Sequence, residues 1–350
     1  MATTNIDSAD LKAVARGGMI REDVMNKIFD ISKIPLPLSD MIGSGSAKNA
    51  YKEWVLDELA APDPTNARVD GSDAGTAGTT SGKRVGNEHQ ISDKVVKVSY
   101  RADASDTIGR SKELAYQLSR KQQELRRDVD AIALLNQASV ADDGDSTPGK
   151  VGGLPTWLES NTTNFGTDPG FNTGTGLTEV GVVTADSITL TESAIKDTIQ
   201  SIYQDGGNPT KLLATPAVIS QFSEYLFTSS ARVATLMSDQ GKSAEKATAM
   251  GSVNVYVSDF GTLSFVPNRL QLSYGAAYAT PALDGVNSDV FILDPEYLEF
   301  CYIRGYQTDV LAKTGLAENR QMSVDWSLIV NTEKAHGLIP SVLNAGTMTA

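Results

Sequence analysis

The sequence is poor in the side chains from which most catalytic and metal sites are built. It has one cysteine, Cys301, and two histidines, His89 and His336, among 350 residues. One cysteine excludes a disulfide within the chain and any zinc cluster built from several cysteines of one chain. Two histidines leave little material for a multi-histidine metal centre or a histidine-based triad. The composition therefore gives little support to a metal centre or a histidine-based catalytic site, and we expect no metal, no cofactor and no catalytic residue.

Long apolar runs are absent too. No stretch approaches the 18 or so consecutive apolar residues that a membrane-spanning helix needs, and the mean hydropathy is -0.20. The N-terminal residues contain no apolar segment typical of a secretory signal. From these patterns we expect no membrane partner and folding in a cytoplasm.

Positive charge is scarce relative to negative charge. Thirty Lys and Arg residues stand against 43 Asp and Glu residues, which gives a net charge of -13. Such a balance argues against a chain whose main task is to grip nucleic acid phosphates. It permits a wall that encloses nucleic acid without adhering to it.

The most regular pattern is a predicted amphipathic helix over residues 107–136. Its apolar residues recur at steps of mainly three, four or seven, which places them on one face, and Asp130 falls among the charged residues of the other. Thirty residues make a rod of roughly 45 Å. The length favours an extended subunit that touches its neighbours; the alternative at this point is a long helix in an ordinary α/β enzyme.

Two predicted strands, residues 51–59 and 91–101, flank a polar stretch rich in Gly, Ser, Thr, Asp and Ala. Residues 60–90 have too few large apolar side chains to form a core, and a two-stranded ribbon is only marginally stable alone. We expect the ribbon to rest on a neighbouring subunit. Trp54 lies at the centre of the first strand.

The rest of the sequence indicates an N-terminal arm, an α/β unit and strands near the C-terminus. Residues 1–50 form an arm, in which a short helix over residues 20–31 is broken by the prolines that follow. Residues 187–293 alternate helices and strands, with the apolar stripe of Ile195, Ile199 and Ile202 in the first helix. Leu154 and Trp157 are expected to anchor the loose region 142–186, and alternation over residues 321–330 predicts a late strand.

Two motifs are weak candidates for chemistry. Residues 77–84 resemble a phosphate-binding loop, but Arg84 replaces the required hydroxyl and no helix follows. Ser193 and Lys196, with the later Ser258-Asp259 and Lys313-Thr314-Gly315, follow the order of serine acylases, but Phe260 replaces the usual Asn. A cytosolic serine acylase is therefore the least favoured alternative.

The order of the parts resembles the major capsid proteins of tailed phages with the HK97-type fold, and the local sequence is similar to the SU10-like branch. The segments that carry the resemblance are RVGNEHQISDKVVKVS, RSKELAYQLSRKQQELRRDVDAIAL, GGLPTWL, DFGTLSFVPNR, FILDPEYLEFCYIRGYQTDVLAKTGLAENRQ and EKAHGLI. The resemblance implies an α+β fold with an N-terminal arm (1–50), an E-loop ribbon (51–103), a P-domain (104–186 and 290–350) whose spine helix is 107–136, and an A-domain (187–289).

The same resemblance implies a shell protein of the virion. It implies hexamers and pentamers of the chain in an icosahedral shell around double-stranded DNA, assembly in the host cytoplasm, a portal and a separate scaffolding protein. An encapsulin-like shell, which encloses protein instead, is the alternative on the same fold. The candidate intersubunit contacts are Trp54, Lys83, Arg84, Lys97, Arg101, Glu113, Asp130, Lys242 and Glu245. In particular, we expect Lys83 and Arg84 to pair with Asp130 or Glu113 of a neighbour.

Overall fold

The computed structural model describes residues 25–32, 35–74, 78, 81–105, 107–185, 187–226, 254–274, 278, 281–282, 285–313 and 315–349. Its helices are α1 Pro37–Met41, α2 Tyr100–Ala104, α3 Glu113–Ala133, α4 Glu192–Gln204 and α5 Pro216–Leu226. Its early strands are β1 Gly43–Ser46, β2 Tyr51–Leu56, β3 Lys83–Glu88, β4 Gln90–Ser99, β5 Phe165–Thr167, β6 Gly170–Asn172, β7 Leu177–Glu179 and β8 Val182–Val183. The later strands are β9 Lys211–Ala214, β10 Val255–Ser258, β11 Gly261–Pro267, β12 Ser273–Tyr274, β13 Pro281–Ala282, β14 Asn287–Leu293, β15 Leu298–Val310, β16 Ala317–Val330 and β17 Gly337–Leu343.

Two sheets organise the described chain. One has four strands in the order β1-β15-β16-β4, and the other has seven, in the order β10-β11-β9-β14-β12-β13 with β17 paired to β14. The strand predicted over residues 321–330 is confirmed as part of a long hairpin of β15 and β16. The predicted boundary between residues 289 and 290 falls inside β14. β17 also lies in the seven-stranded sheet. This sheet therefore contains residues from both the predicted A-domain (187–289) and the predicted second P-domain segment (290–350).

The predicted hairpin between residues 51–59 and 91–101 is wrong. β2 pairs with β3, from Tyr51 opposite Glu88 to Leu56 opposite Lys83. β4 instead pairs with β16 over ten residues and forms an edge of the four-stranded sheet. The predicted ribbon 51–103 thus divides into a short ribbon, β2–β3, and a sheet strand.

The long helix is shorter than predicted. α3 has 21 residues, or about 31 Å. Gly109 has a φ of 72°, which suits glycine but ends a helix, and Lys112 is extended with a φ of -144°. The apolar face of this helix is buried, and Leu125 and Val129 lie in the same core cluster as Trp326 of β16.

The other packing predictions hold where the structure describes them. Ile195, Ile199 and Ile202 are buried in α4, and Leu154 and Trp157 anchor the region 142–186, which otherwise contains the small sheets β5–β8 and β6–β7. The helix predicted over residues 20–31 is not observed in residues 25–31, and residues 1–24 lie outside the described part. α1 instead begins within the proline-rich stretch and buries Leu38 completely.

Candidate intersubunit surface

The β2–β3 ribbon is anchored at its base by aromatic rings. Trp54 of β2 lies with its ring centroid 5.2 Å from that of Trp157, and Trp157 stacks on Phe171 at 5.7 Å. The hydroxyl of Tyr51 donates to the carbonyl of Gly176 at 2.7 Å. Trp54, predicted as an intersubunit contact, therefore packs largely within its own subunit.

His89 holds together the two points where the chain enters and leaves the ribbon. Its backbone N–H donates to the carbonyl of Ala50 at 2.8 Å, and its Nδ1 lies 2.9 Å from the same oxygen. Burial lowers the pKa of the imidazole, although the hydrogen bond to Ala50 and the charge of Asp325 act in the opposite direction. The uncharged ring is therefore favoured, which suits an Nδ1–H that donates to Ala50.

Beyond Leu56 the ribbon leaves the body of the protein. Every residue from 57 to 74 is exposed, including Leu59 at 95% and Val69 at 79%. The described contact that ties this stretch to the body is the ion pair of Glu58 with Lys334 at 2.8 Å. A cleft of about 810 Å³ separates this part of the ribbon from the body. The surface of this projecting segment is therefore open to contact with another molecule.

The acids Glu113, Glu124 and Asp128 on the outer face of α3 each form an ion pair within the chain. Arg110 contacts Glu113 at 2.7 Å, Lys121 contacts Glu124, and Asp128 pairs with Lys94 of β4. Gln117 also donates to Glu113, and these hydrogen bonds lower the pKa of the Glu113 carboxyl. The acid that we expected to bind a neighbouring ribbon is therefore already engaged by its own helix.

Asp130 corrects the prediction that it lies on the charged, outward face. Its side chain is completely buried, and its Oδ1 accepts hydrogen bonds from the backbone N–H and the hydroxyl of Ser39, each at 2.8 Å. The arm covers this residue, so Asp130 offers no exposed carboxylate to Lys83 or Arg84 in this conformation.

The other predicted contact residues are dispersed. Lys83 and Arg84 are exposed on β3, where Arg84 pairs with Glu53 of the opposite strand at 3.1 Å. Lys97 and Arg101 are exposed on β4 and α2. Lys242 and Glu245 lie outside the described residues. The structure does not bring these side chains together within one subunit, and their contacts between subunits stay predictions.

The side chains of the two weak chemical motifs take part in ordinary secondary structure and local contacts. Lys83 and Arg84 belong to a strand, without the helix that a phosphate-binding loop requires. The hydroxyl of Ser193 donates to Thr191, while the ammonium of Lys196 is held by Glu192 at 2.7 Å. In the described part of the chain, no group of three or more His, Cys, Asp or Glu side chains is arranged to hold a metal ion. No helix among the described residues is long and apolar enough to cross a membrane.

Comparison with known proteins identifies the family of this chain. The profile of the SU10 major capsid protein family matches residues 2–343. The chain belongs to this family. Over 113 residues it is 37% identical to the major capsid protein of Escherichia phage Phieco32. That alignment covers 32% of each protein, so the chain matches about a third of the length of this curated relative.

Solved structures show the fold of this SU10-family chain. The capsid of a native GTA particle aligns with a TM-score of 0.58 at 11% identity, over 97% of this chain and 100% of that one. The SrpI encapsulin of Synechococcus elongatus gives 0.53 at 11% identity, over 97% and 98%. A structure from Mycobacterium phage Bobi gives 0.54 at 12% identity, over 94% and 98%. The HK97-type α+β fold is therefore confirmed.

Sequence reasoning missed the outer part of the ribbon as a charged surface. Residues 57–74 carry five acids and only Arg68 as a base, a surplus visible in the sequence itself. The pairing within α3 was not visible, because a sequence does not show which helix charges are already engaged. Lys83 and Arg84, at the outer end of the paired strands, have the opposite charge to the acidic stretch beyond Leu56.

Proposed function

We propose that the chain is the repeating subunit of an icosahedral phage capsid. Copies assemble into hexamers and pentamers, and the closed shell encloses double-stranded DNA without sequence-specific contacts. The single observation that carries this proposal is the family match over nearly the whole chain. The HK97-type fold supports it, and so does a projecting ribbon whose apolar residues lack a partner within the described chain.

The ribbon then lies across an adjacent subunit. A symmetric shell repeats each contact many times, so modest individual interactions stabilise the whole. Assembly with a separate scaffolding protein and a portal, in the host cytoplasm, belongs to the same proposal. The role is structural, and the energy of assembly comes from burial of the segments that one subunit leaves exposed.

Electron microscopy of the purified chain, expressed alone and with a scaffolding protein, tests self-assembly. We expect shells, tubes or ring-shaped capsomers. A matched variant replaces residues 57–82 with Asn-Gly, the two-residue turn that best closes a hairpin between β2 and β3. This variant is expected to fold, as judged by circular dichroism, and to form no shells. Normal shells from it would contradict the role of the ribbon.

An encapsulin-like shell is the alternative on this fold, and the family match does not favour it. The content of particles from infected cells separates the two. Nuclease-resistant double-stranded DNA is expected inside them. Particles that contain a protein cargo and no DNA would favour the encapsulin-like function.

A further inference from the structure

The basic residues of this acidic chain are concentrated in one part of it. Residues 94–127 contain nine Lys or Arg against four Asp or Glu, whereas the net charge of the whole chain is -13. This stretch runs from β4 into α3. The net charge of the chain therefore does not describe the surface that α3 presents, where positive charge is in excess.

A stripe of polar side chains runs along the outer face of α3. At 3.6 residues per turn, its members lie within about 100° of one another around the helix axis. They are Lys112, which directly precedes the helix, and Tyr116, Ser119, Arg120, Gln123 and Arg127. This basic stripe contains no acid, and from its first to its last residue it is about 22 Å long.

The cations of the basic stripe are not neutralised by the acids of the helix. Glu113 and Glu124 flank the stripe, and each is held in an ion pair by a base three positions before it. Arg120 and Arg127 form no ion pair among the described residues. The Nε of Arg127 is buried without a hydrogen-bond partner in the same part of the chain. These two guanidinium groups therefore keep their capacity to bind an anion.

Two acids of other elements lie beside the stripe but leave it open. Lys112 is 3.7 Å from Asp103 of α2, yet 63% of its side chain is exposed. The hydrogen bond to the Tyr116 hydroxyl and the charge of Asp30 in the arm raise the pKa of Arg120. The side chain of Arg120 is nevertheless exposed. Both cations are therefore charged and accessible.

The chemistry of the basic stripe fits phosphate groups better than it fits a protein. Arg, Lys, Ser, Gln and Tyr are among the side chains that hydrogen-bond to nucleic acid phosphates. A helical protein partner would need apolar anchors along the stripe, but no large apolar side chain between residues 109 and 133 is exposed. Successive phosphates of one DNA strand are 3.4 Å apart along the duplex axis, so about 22 Å of helix spans roughly six of them.

We propose that the basic stripe of α3 contacts the phosphate backbone of the double-stranded DNA inside the shell. This inference rests on the proposed capsid function and assigns the surface of the subunit that meets the DNA. It departs from the expectation, based on net charge, of a wall that does not adhere to nucleic acid. Phosphate contacts carry no sequence information, so DNA of any sequence can be enclosed. Repetition over the shell adds many weak contacts together.

Fluorescence anisotropy of a labelled short duplex, titrated with the purified full-length chain over a salt series, tests the contact. Arg120→Glu/Arg127→Glu is expected to weaken binding at low salt at least about tenfold and to reduce the slope of log affinity against log salt by about two. Arg120→Lys/Arg127→Lys keeps the charge and should retain most of the affinity. Circular dichroism verifies that each variant is folded.

The matched control is Arg68→Glu/Lys150→Glu, which changes the net charge by the same amount at exposed sites outside the basic stripe. This control is expected to bind the duplex nearly as wild type does. Equal losses of affinity from the two charge reversals would overturn the proposal, because net charge alone would then explain the binding. Absence of binding by the wild type at low salt would overturn it too.

Photochemical cross-linking locates the contact in assembled particles. The native cysteine, Cys301, is buried, so an introduced cysteine reacts selectively. Particles of Gln123→Cys, on the stripe, and of Lys150→Cys, exposed elsewhere, are labelled with an aryl azide maleimide and irradiated. We expect protein–DNA adducts from Gln123→Cys and few from the control. Equal yields from the two variants, or none from Gln123→Cys, would contradict the proposal.

The outcomes separate this contact from the capsid function. If wild-type shells contain DNA while the stripe gives no adduct and its reversal has no effect on binding, the contact is refuted and the capsid function stands. If the reversal lowers shell yield and leaves the affinity for DNA unchanged, the stripe binds a protein and the proposal is overturned. If the wild type forms no shells, the capsid function fails, and the anisotropy measurements alone decide the contact.

Discussion

Asp130 joins the N-terminal arm to the long helix through one carboxylate oxygen. Oδ1 accepts both hydrogen bonds from Ser39, while Oδ2 is buried without a partner in the described structure. Burial raises the pKa of this carboxyl to about 6, and the two hydrogen bonds only partly oppose that effect. Ionisation of this carboxyl is therefore less favourable in the folded protein than in the unfolded chain.

Replacement of Asp130 by Asn should reduce the dependence of stability on pH. Because the folded pKa lies above the unfolded value of about 3.9, the stabilising contribution is complete below pH 4 and is lost as pH rises through 6. Two pKa units correspond to about 3 kcal/mol. Urea unfolding of wild type and Asp130→Asn at pH 4 and pH 7.5 measures this. The stability difference between the two proteins should change by about that amount; an unchanged difference would contradict it.

The burial of Asp130 could not be predicted from the sequence. Asp130 falls among the charged residues of the predicted helix, and the group that covers it, Ser39, lies 91 residues away in the sequence. Periodicity reports which face of a helix is apolar, but it does not show that another segment crosses the polar face. The ion pairs of Glu113 and Glu124 escaped prediction for a related reason, since three-residue spacing permits a contact without showing that it forms.

Trp157 packs against the base of the β2–β3 ribbon. It is 3% exposed and lies between Trp54 and Phe171. Trp157→Ala should lower the free energy of unfolding by about 3–5 kcal/mol and loosen the ribbon from the body. Limited proteolysis should then cut near β2 and β3 sooner than in wild type. The conservative variant Trp157→Phe serves as control, and equal cleavage rates for wild type and Trp157→Ala would refute the role.

At the scale of elements, α3 depends on an unbroken hydrogen-bond ladder. Leu125 is 1% exposed and lies in the middle of the helix. Leu125→Pro removes a backbone donor and costs about 3 kcal/mol or more, in addition to the lost side-chain packing. We expect this variant to form no shells by electron microscopy. Leu125→Met keeps the backbone and similar volume and should assemble; normal shells from Leu125→Pro would refute the structural role of the helix.

The pairing of β2 with β3 shows why some elements escape a pattern analysis. The β3 sequence, KRVGNE, contains one large apolar residue, Val85, and no alternation. Its position is fixed by Asn87, whose amide donates to the carbonyls of Gly152 and Leu328, at 3.1 and 2.8 Å. By contrast β4, β14 and β16 were predictable, because they have alternating or continuous apolar residues. The sequence therefore predicted these three strands, which apolar packing defines, and missed β3, which polar contacts position.

At the scale of the molecule, the two sheets share one core. Leu213, Phe291 and Leu338 of the seven-stranded sheet lie in the same cluster as Trp326 and Leu328 of the four-stranded sheet. The chain also passes from the second sheet to the first and back, through β14, β15, β16 and β17. Neither sheet can lose its packing without exposing apolar surface of the other. The family resemblance predicted a separate A-domain and P-domain, but it did not show that the two sheets share one hydrophobic core.

This continuity predicts that the isolated subunit unfolds in one cooperative transition. Phe291→Leu and Trp326→Leu, on different sheets, should lower the same melting temperature in differential scanning calorimetry, each by removing completely buried side-chain volume. Ile199→Val, in a second cluster that joins α4 to the seven-stranded sheet, is the milder control, with an expected cost of about 0.5–1.5 kcal/mol. Two separate transitions, with Trp326→Leu shifting only one of them, would contradict a shared core. A single transition matters for assembly, because a contact made on α3 then stabilises both sheets of the subunit at once.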